Sequence, residues 1–141
     1  MSREEKLAQI IARHNGREGP LLPILHDVQA AFGCVDPVAE AAIALALNLS
    51  RAEVHGVVSF YHDFREAADP RPEVQLCRAE ACQARGAEGF VIAAEAAAGD
   101  RVRLSKVYCL GLCSVGPAAR VGDSVHARLD EAALVALVEN A

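Results

Sequence analysis

No apolar run in this 141-residue chain approaches the roughly 20 residues needed to cross a bilayer, so a membrane-spanning helix is not expected. The sequence has no Gly-x-Gly-x-x-Gly, no glycine-rich phosphate loop and no nucleophile elbow, which argues against nucleotide or flavin binding by this chain alone. It has no Cys-x-x-Cys, the spacing a thioredoxin-type redox site needs at a helix N-terminus. Concentrated positive charge is also missing. The formal charge is −5 and the lysines and arginines are scattered, so no nucleic-acid partner is expected. No internal repeat is found, and the one low-complexity tract is the alanine-rich stretch at residues 92–98. The opening Met1-Ser2-Arg3-Glu4-Glu5-Lys6 has no apolar stretch behind it and does not resemble a secretory signal, so the expected location is the cytoplasm.

What is present is cysteine in an ordered pattern. Cys77 and Cys82 form a Cys-x4-Cys pair, and Cys109 and Cys113 form a Cys-x3-Cys pair further on. In a reducing compartment thiols stay free for metals or chemistry, and an odd total of five cysteines points the same way. Four thiolates suit an iron–sulfur cluster or a closed zinc site. Structural zinc sites favour tighter Cys-x2-Cys knuckles, and wider pairs suit a two-iron rhomb better, but zinc and unligated buried thiols both stay open on spacing alone. A Rieske centre is disfavoured because neither pair contains a histidine.

The loop Tyr108-Cys109-Leu110-Gly111-Leu112-Cys113-Ser114-Val115-Gly116-Pro117 has the composition of a cluster loop. Gly111 and Gly116 would let backbone N–H groups approach sulfur, the leucines and valine would exclude water, and Pro117 fixes the exit. Two ferric ions, two sulfides and four thiolates carry a net charge of about −2, so nearby cations matter. Arg78 and Lys106 are the candidates for offsetting it, each also readable as an ordinary solvated charge. Cys34 stands apart and reads as a small packed residue, and the five histidines are scattered.

The first half is helical in pattern. Ser2 with Glu5 forms a capping box ahead of Leu7, Ile10 and Ile11, with Gly16 as a stop. Leu21, Ile24, Leu25, Val28 and Phe32 give a second apolar stripe, with Pro23 in its first turn and Gly33 where a left-handed cap belongs. Asp36-Pro37 opens a third helix through Leu47, and Ser50 with Glu53 caps a fourth over Val54, Val57, Val58 and Tyr61. A helix-turn-helix around Leu47 to Ser50 is the alternative reading. It is disfavoured because Asp36, Glu40, Glu53, Asp63 and Glu66 outnumber Arg51 and Arg65.

Asp69-Pro70-Arg71-Pro72 breaks the pattern, which places a linker at residues 66–72 between a helical unit at 1–65 and a second unit at 73–141. In the second unit the expected order is a strand ending at Cys77, a helix from near Ala79 and a strand from Arg101 to Tyr108. A hairpin turning at Gly122-Asp123 and a closing helix from Asp130 follow, an α/β sandwich with all four cysteines at one end of its sheet.

Leu22-Pro23-Ile24-Leu25 through Phe32-Gly33, Val54-His55-Gly56-Val57-Val58-Ser59-Phe60-Tyr61 and the two cysteine motifs resemble the thioredoxin-like [2Fe-2S] ferredoxin subunits of NADH-linked complexes over nearly the whole chain. Within that family, Leu76-Cys77-Arg78-Ala79-Glu80-Ala81-Cys82-Gln83-Ala84-Arg85-Gly86 and Val107-Tyr108-Cys109-Leu110-Gly111-Leu112-Cys113 are most similar to the gamma subunit of NAD-dependent molybdenum formate dehydrogenases. Related subunits of NADH:quinone oxidoreductase and bidirectional hydrogenase share the four ligands.

The resemblance implies an α/β fold, with an N-terminal four-helix segment followed by a thioredoxin-like [2Fe-2S] domain. It implies one [2Fe-2S] cluster held by Cys77, Cys82, Cys109 and Cys113. It further implies a non-catalytic electron carrier, exchanging single electrons with the FMN of an NAD-binding flavoprotein subunit, while a molybdenum-containing subunit oxidises formate. Residues 1–65 would then be the docking element, through Phe60, Tyr61 and Phe64 if exposed. The rival readings are a zinc-stabilised interaction module and a DNA-binding regulator with the cluster as sensor.

Overall fold

The computed structural model describes residues 1–141, which divide into two compact units, Met1–Pro70 and Arg71–Ala141. The first unit is built from four helices, α1 (Arg3–Ala12), α2 (Leu21–Phe32), α3 (Pro37–Leu47) and α4 (Arg51–Phe60). Local chemistry sets most of their ends. Ser2 and Ser50 each accept the amide of the glutamate three residues on, while that glutamate accepts the serine's own N–H, so two orphan donors are satisfied at each start. Asp36 caps α3 by accepting the Ala39 amide at 2.9 Å. Gly33 ends α2 at φ 77°, a left-handed conformation that glycine adopts without a Cβ clash.

The first helix is shorter than a stop at Gly16 suggests. It stops at Ala12, and three i−3 hydrogen bonds from His14, Asn15 and Arg17 carry the chain round to Gly16, itself at φ 77°. The unit closes on a core of Leu7, Ile10, Ile24, Leu25, Val28, Val35, Ile43, Val54, Val58 and Phe64. Full burial of each large aliphatic side chain here contributes about 1.5–3 kcal/mol. Phe64 belongs to this core, with its ring 4.9 Å from that of His26, whereas Phe60 and Tyr61 are 74% and 43% exposed. The aromatic run is thus split between core and surface.

The second unit holds β1 (Glu73–Cys77), α5 (Glu80–Ala84), a 3-10 turn (Ala87–Phe90), α6 (Val91–Ala98), β2 (Arg103–Val107), β3 (Ala119–Val121), β4 (Ser124–His126) and α7 (Glu131–Glu139). The expected single helix after Cys77 is broken in two, because Gly86 adopts φ 94° and ends α5 after barely one turn. The strand expected over Arg101 to Tyr108 is confined to Arg103–Val107, since Arg101 and Val102 still donate to Ala98 at the end of α6.

The sheet order is β2-β1-β3-β4, with β1 and β2 parallel and the other pairs antiparallel. Side chains alternate across β1, so Val74 and Leu76 face a core shared with Ala94 and Ala98 of α6 and Leu134 and Val138 of α7. The opposite face carries Glu73, Gln75, Arg103 and Ser105, with Ser105 donating to Glu73 at 2.6 Å and Arg103 paired to Glu73 at 2.8 Å. Helices α6 and α7 therefore form one layer over one face of the sheet. Cys77 has the parity of that polar face, yet it is buried, which places it in a separate small cluster at the strand's end.

Candidate cysteine centre

Parallel pairing of β1 with β2 brings Cys77 into register with Val107, so the first pair and the loop after β2 arise at the same end of the sheet. Backbone bonds fix that end. The Cys77 amide donates to Ala118 and the Arg78 amide to Val107, both at 2.9 Å. Cys82 lies in α5, immediately beyond β1, and is buried in the same small cluster as Cys77. Cys109 and Cys113 bracket an exposed loop with their sulfurs 3.4 Å apart. Cys34 lies in the other unit, buried near the end of α2, with its thiol directed at the Phe32 carbonyl.

The four thiols fall into two pairs in different surroundings. Burial is the main reason the Cys82 thiol is pushed up, with the neighbouring Cys77 thiol adding to it and the Ala118 amide partly offsetting it. Cys109 is lowered, first by the Gly111 N–H that donates to its sulfur at 3.3 Å and then by Cys113. Cys113 is raised by the same partner, so this exposed pair gives up its first proton readily and holds the second.

Backbone conformation serves the sulfurs directly. Cys109 has φ 98°, a left-handed value that costs a non-glycine residue on the order of 1 kcal/mol and persists only where its surroundings require it. Gly116 packs so tightly on Cys82 that an added Cβ would lie 3.0 Å from the sulfur. The Gly116–Pro117 peptide is cis.

Of the two candidate cations, Arg78 is engaged by Glu88, which accepts from its Nε at 2.7 Å and also from its Nη2. This pairing holds Arg78 protonated and lowers Glu88, so its charge is largely matched locally. Lys106 is exposed, and its charge helps to lower Glu88. Two residues with no signal in the sequence bear on the centre: Gln83 donates to the Arg78 carbonyl at 2.6 Å, and Arg85 donates to the Ser114 carbonyl at 3.1 Å. The first spans five residues, whereas the second joins α5 to a loop 29 residues away.

A family model described as thioredoxin-like [2Fe-2S] ferredoxin matches residues 7–141. Among curated proteins, an NADH-quinone oxidoreductase subunit of Rhizobium meliloti is 32% identical, over 99% of this chain and 89% of its own length. The HndA subunit of the NADP-reducing hydrogenase of Solidesulfovibrio fructosivorans is 27% identical, over 86% of this chain and 76% of its own. Among solved structures, an NAD+-reducing [NiFe]-hydrogenase in the H2-reduced state superposes with a TM-score of 0.71 at 26% identity, over 86% of this chain. This chain spans only 22% of that hydrogenase chain.

The residues present fit a [2Fe-2S] cluster. Two irons need two ligand pairs, and the thiols here form two pairs, Cys77 with Cys82 in one buried cluster and Cys109 with Cys113 across 3.4 Å. The Gly111 N–H already points at Cys109, the kind of donation that stabilises thiolate against a cluster's negative charge.

Proposed function

The chain belongs to the thioredoxin-like [2Fe-2S] ferredoxin family, and on that footing we propose that it is the electron-carrying subunit of an NAD-linked oxidoreductase complex, with Cys77, Cys82, Cys109 and Cys113 as the cluster ligands. When bound, the cluster supplies reversible one-electron chemistry. The observation that carries this reading is the meeting of two thiol pairs at one end of the sheet, one buried and one exposed. Cys77 and Cys82 anchor one side in the folded interior. Cys109 and Cys113 present the other side at the surface, where a partner's cofactor can approach. Hydride chemistry is assigned to a flavoprotein partner that binds FMN and NAD.

The parent complex is proposed to be a molybdenum-containing formate dehydrogenase of the cytoplasm, supported by the motifs at residues 76–86 and 107–113. Residues 1–65 would serve as its docking element, supported by the exposure of Phe60 and Tyr61. The names of the relatives favour a second reading, the equivalent subunit of an NADH:quinone oxidoreductase or an NAD(P)-reducing hydrogenase.

The test is the visible spectrum and low-temperature electron paramagnetic resonance of anaerobically purified protein before and after dithionite, with iron, sulfide and zinc measured on the same sample. About two irons and two sulfides per chain, with a spin-half signal on reduction, are expected. A colourless protein holding zinc after cluster reconstitution would refute the electron-carrier reading. Isolation of the native complex, followed by assays with formate, hydrogen and quinone as the second substrate, separates the parents: NAD reduction by formate is expected.

A further inference from the structure

The two ligand pairs lie on separate pieces of chain. Cys77 and Cys82 belong to β1 and α5, whereas Cys109 and Cys113 belong to a loop between β2 and β3 with little regular structure. Backbone pairing fixes Cys77. What fixes the Cys113 side of the centre against the Cys82 side is a different question, and one side chain spans that gap.

Arg85 follows α5 directly, three residues after Cys82, and its amide donates to the Cys82 carbonyl at 3.2 Å. Its guanidinium crosses to the other loop and donates through Nη2 to the Ser114 carbonyl at 3.1 Å, one residue beyond Cys113. Its aliphatic part lies along the same surface as Cys82: a Cβ built on Gly116 would meet Cys82 Sγ at 3.0 Å and Arg85 Cδ at 3.5 Å. The short Cys113–Val115 turn is thus tied to α5 by a hydrogen bond at Ser114 and, through the Gly116 that follows it, by close packing on Cys82 and Arg85. Gln83, two residues earlier, makes the complementary tie from α5 back to the Arg78 carbonyl beside Cys77.

We propose that Arg85 is a positioning residue for the cysteine centre, a clamp whose guanidinium fixes the Cys113 loop to the helix that carries Cys82. The proposal rests on the cluster assignment made above. An arginine suits this task because it keeps its charge throughout the physiological range, and its planar head reaches a carbonyl while its stem packs on apolar surface. The charge also lies beside a centre whose thiolates and sulfides outweigh its ferric ions. Because Arg85 is exposed, its contribution to the fold of the empty chain is small, and its effect concentrates on the loaded centre.

The experiment compares wild type, Arg85→Met and Arg85→Lys, each purified anaerobically as the full chain. Wild type is first shown to hold about two irons and two sulfides; if it holds none, the cluster assignment fails and this inference falls with it. With that established, iron loss to a chelator is timed, the g-values of the reduced state are recorded, and thermal unfolding of the empty chains is measured. Arg85→Met is expected to lose iron about three- to tenfold faster than wild type and to show shifted g-values, with an unchanged unfolding midpoint when empty. Arg85→Lys, which keeps the charge and one donor, should recover part of the retention. Wild-type iron loss and g-values in Arg85→Met would overturn the proposal. So would a loss fully accounted for by a lower unfolding midpoint of the empty chain, which would mark Arg85 as an ordinary fold contact.

Discussion

Gly116→Ala tests the cysteine centre at its tightest point. The backbone there, at φ −65°, accepts alanine without strain, so any penalty comes from the methyl group and its neighbours. The added Cβ would stand 3.0 Å from Cys82 Sγ, 3.5 Å from Arg85 Cδ and 3.8 Å from Cys82 Cα. Heavy atoms pack best at about 3.5–4.0 Å, so the methyl falls about 0.5–1 Å inside its distance from the sulfur. In the empty chain a free thiol can rotate away, and Arg85 can swing toward solvent. In the loaded chain a ligand sulfur has no such freedom, and overpacking of this kind costs about 1–3 kcal/mol.

The cost of Gly116→Ala therefore falls mainly on the loaded state, and iron retention should weaken roughly five- to 150-fold. The assay is iron and sulfide per chain after anaerobic desalting, with chelator-driven bleaching followed in the visible range. Gly89→Ala is the control, because nothing lies within 4 Å of the Cβ it would add. Wild-type retention in Gly116→Ala would refute the reasoning, since it would mean that the Cys82 sulfur is not fixed where the fold puts it. A large drop in the unfolding midpoint of the empty variant would refute it too, by assigning the cost to the fold.

Cys109→Ser should retain the fold and lose the reduced-state spin signal or most of the iron, because Cys109 sits in an exposed loop that few other residues depend on; a full wild-type signal would remove it from the ligand set. Ser50→Ala breaks the capping box of α4 and should cost about 1 kcal/mol, lowering the unfolding midpoint of the helical unit by several degrees in calorimetry. His55 donates to the buried carboxylate of Glu40 at 3.0 Å, with Glu66 4.0 Å away, and its pKa is raised, first by the Glu40 hydrogen bond. A raised histidine pKa stabilises the fold fully below the unfolded value of 6.5, and that stabilisation is lost as pH climbs through the folded value. Wild type should therefore be less stable to urea at about pH 8 than at about pH 6, and His55→Asn should flatten this difference; an unaltered difference would exclude His55 as its source.

Much of the fold was legible because short-range chemistry fixes it. Both capping boxes, the Asp36-Pro37 start, the Gly33 stop, the Gly122-Asp123 turn and the Asp130 cap of α7 are encoded within four residues of where they act. The candidate thiols were legible for the same reason, since Cys-x4-Cys and Cys-x3-Cys are local spacings, and parallel pairing of two recognisable strands puts them together. The misread features turn either on local backbone conformation or on distant partners, neither of which periodicity carries. The end of α1 at Ala12 and the interruption at Gly86 are settled by how the chain turns, and periodicity does not report that. Phe64 differs from Phe60 only in which way α4 and its exit present it to Val28 and its neighbours in the core. The Arg78–Glu88 and Arg85–Ser114 contacts link residues 10 and 29 positions apart, and nothing in either local sequence marks them.

The difference between the two thiol pairs follows from their supports. Cys77 is held by a strand paired on both sides, and Cys82 by α5 and the close face of Gly116, so moving either sulfur means moving sheet or helix. Cys109 and Cys113 are held by the Gly111 amide, by a strained φ at Cys109 and by the turn that Arg85 grips. Local opening takes the route with the fewest buried contacts, which here runs through the exposed pair. Under the cluster assignment, chelators and oxidants therefore reach the iron on the Cys109–Cys113 side first. A partner protein that covers this loop would slow that attack as it brings its own cofactor near. Under the proposed function, burial of one pair and exposure of the other would serve one arrangement, in which the inner pair anchors the cluster and the outer pair faces the partner.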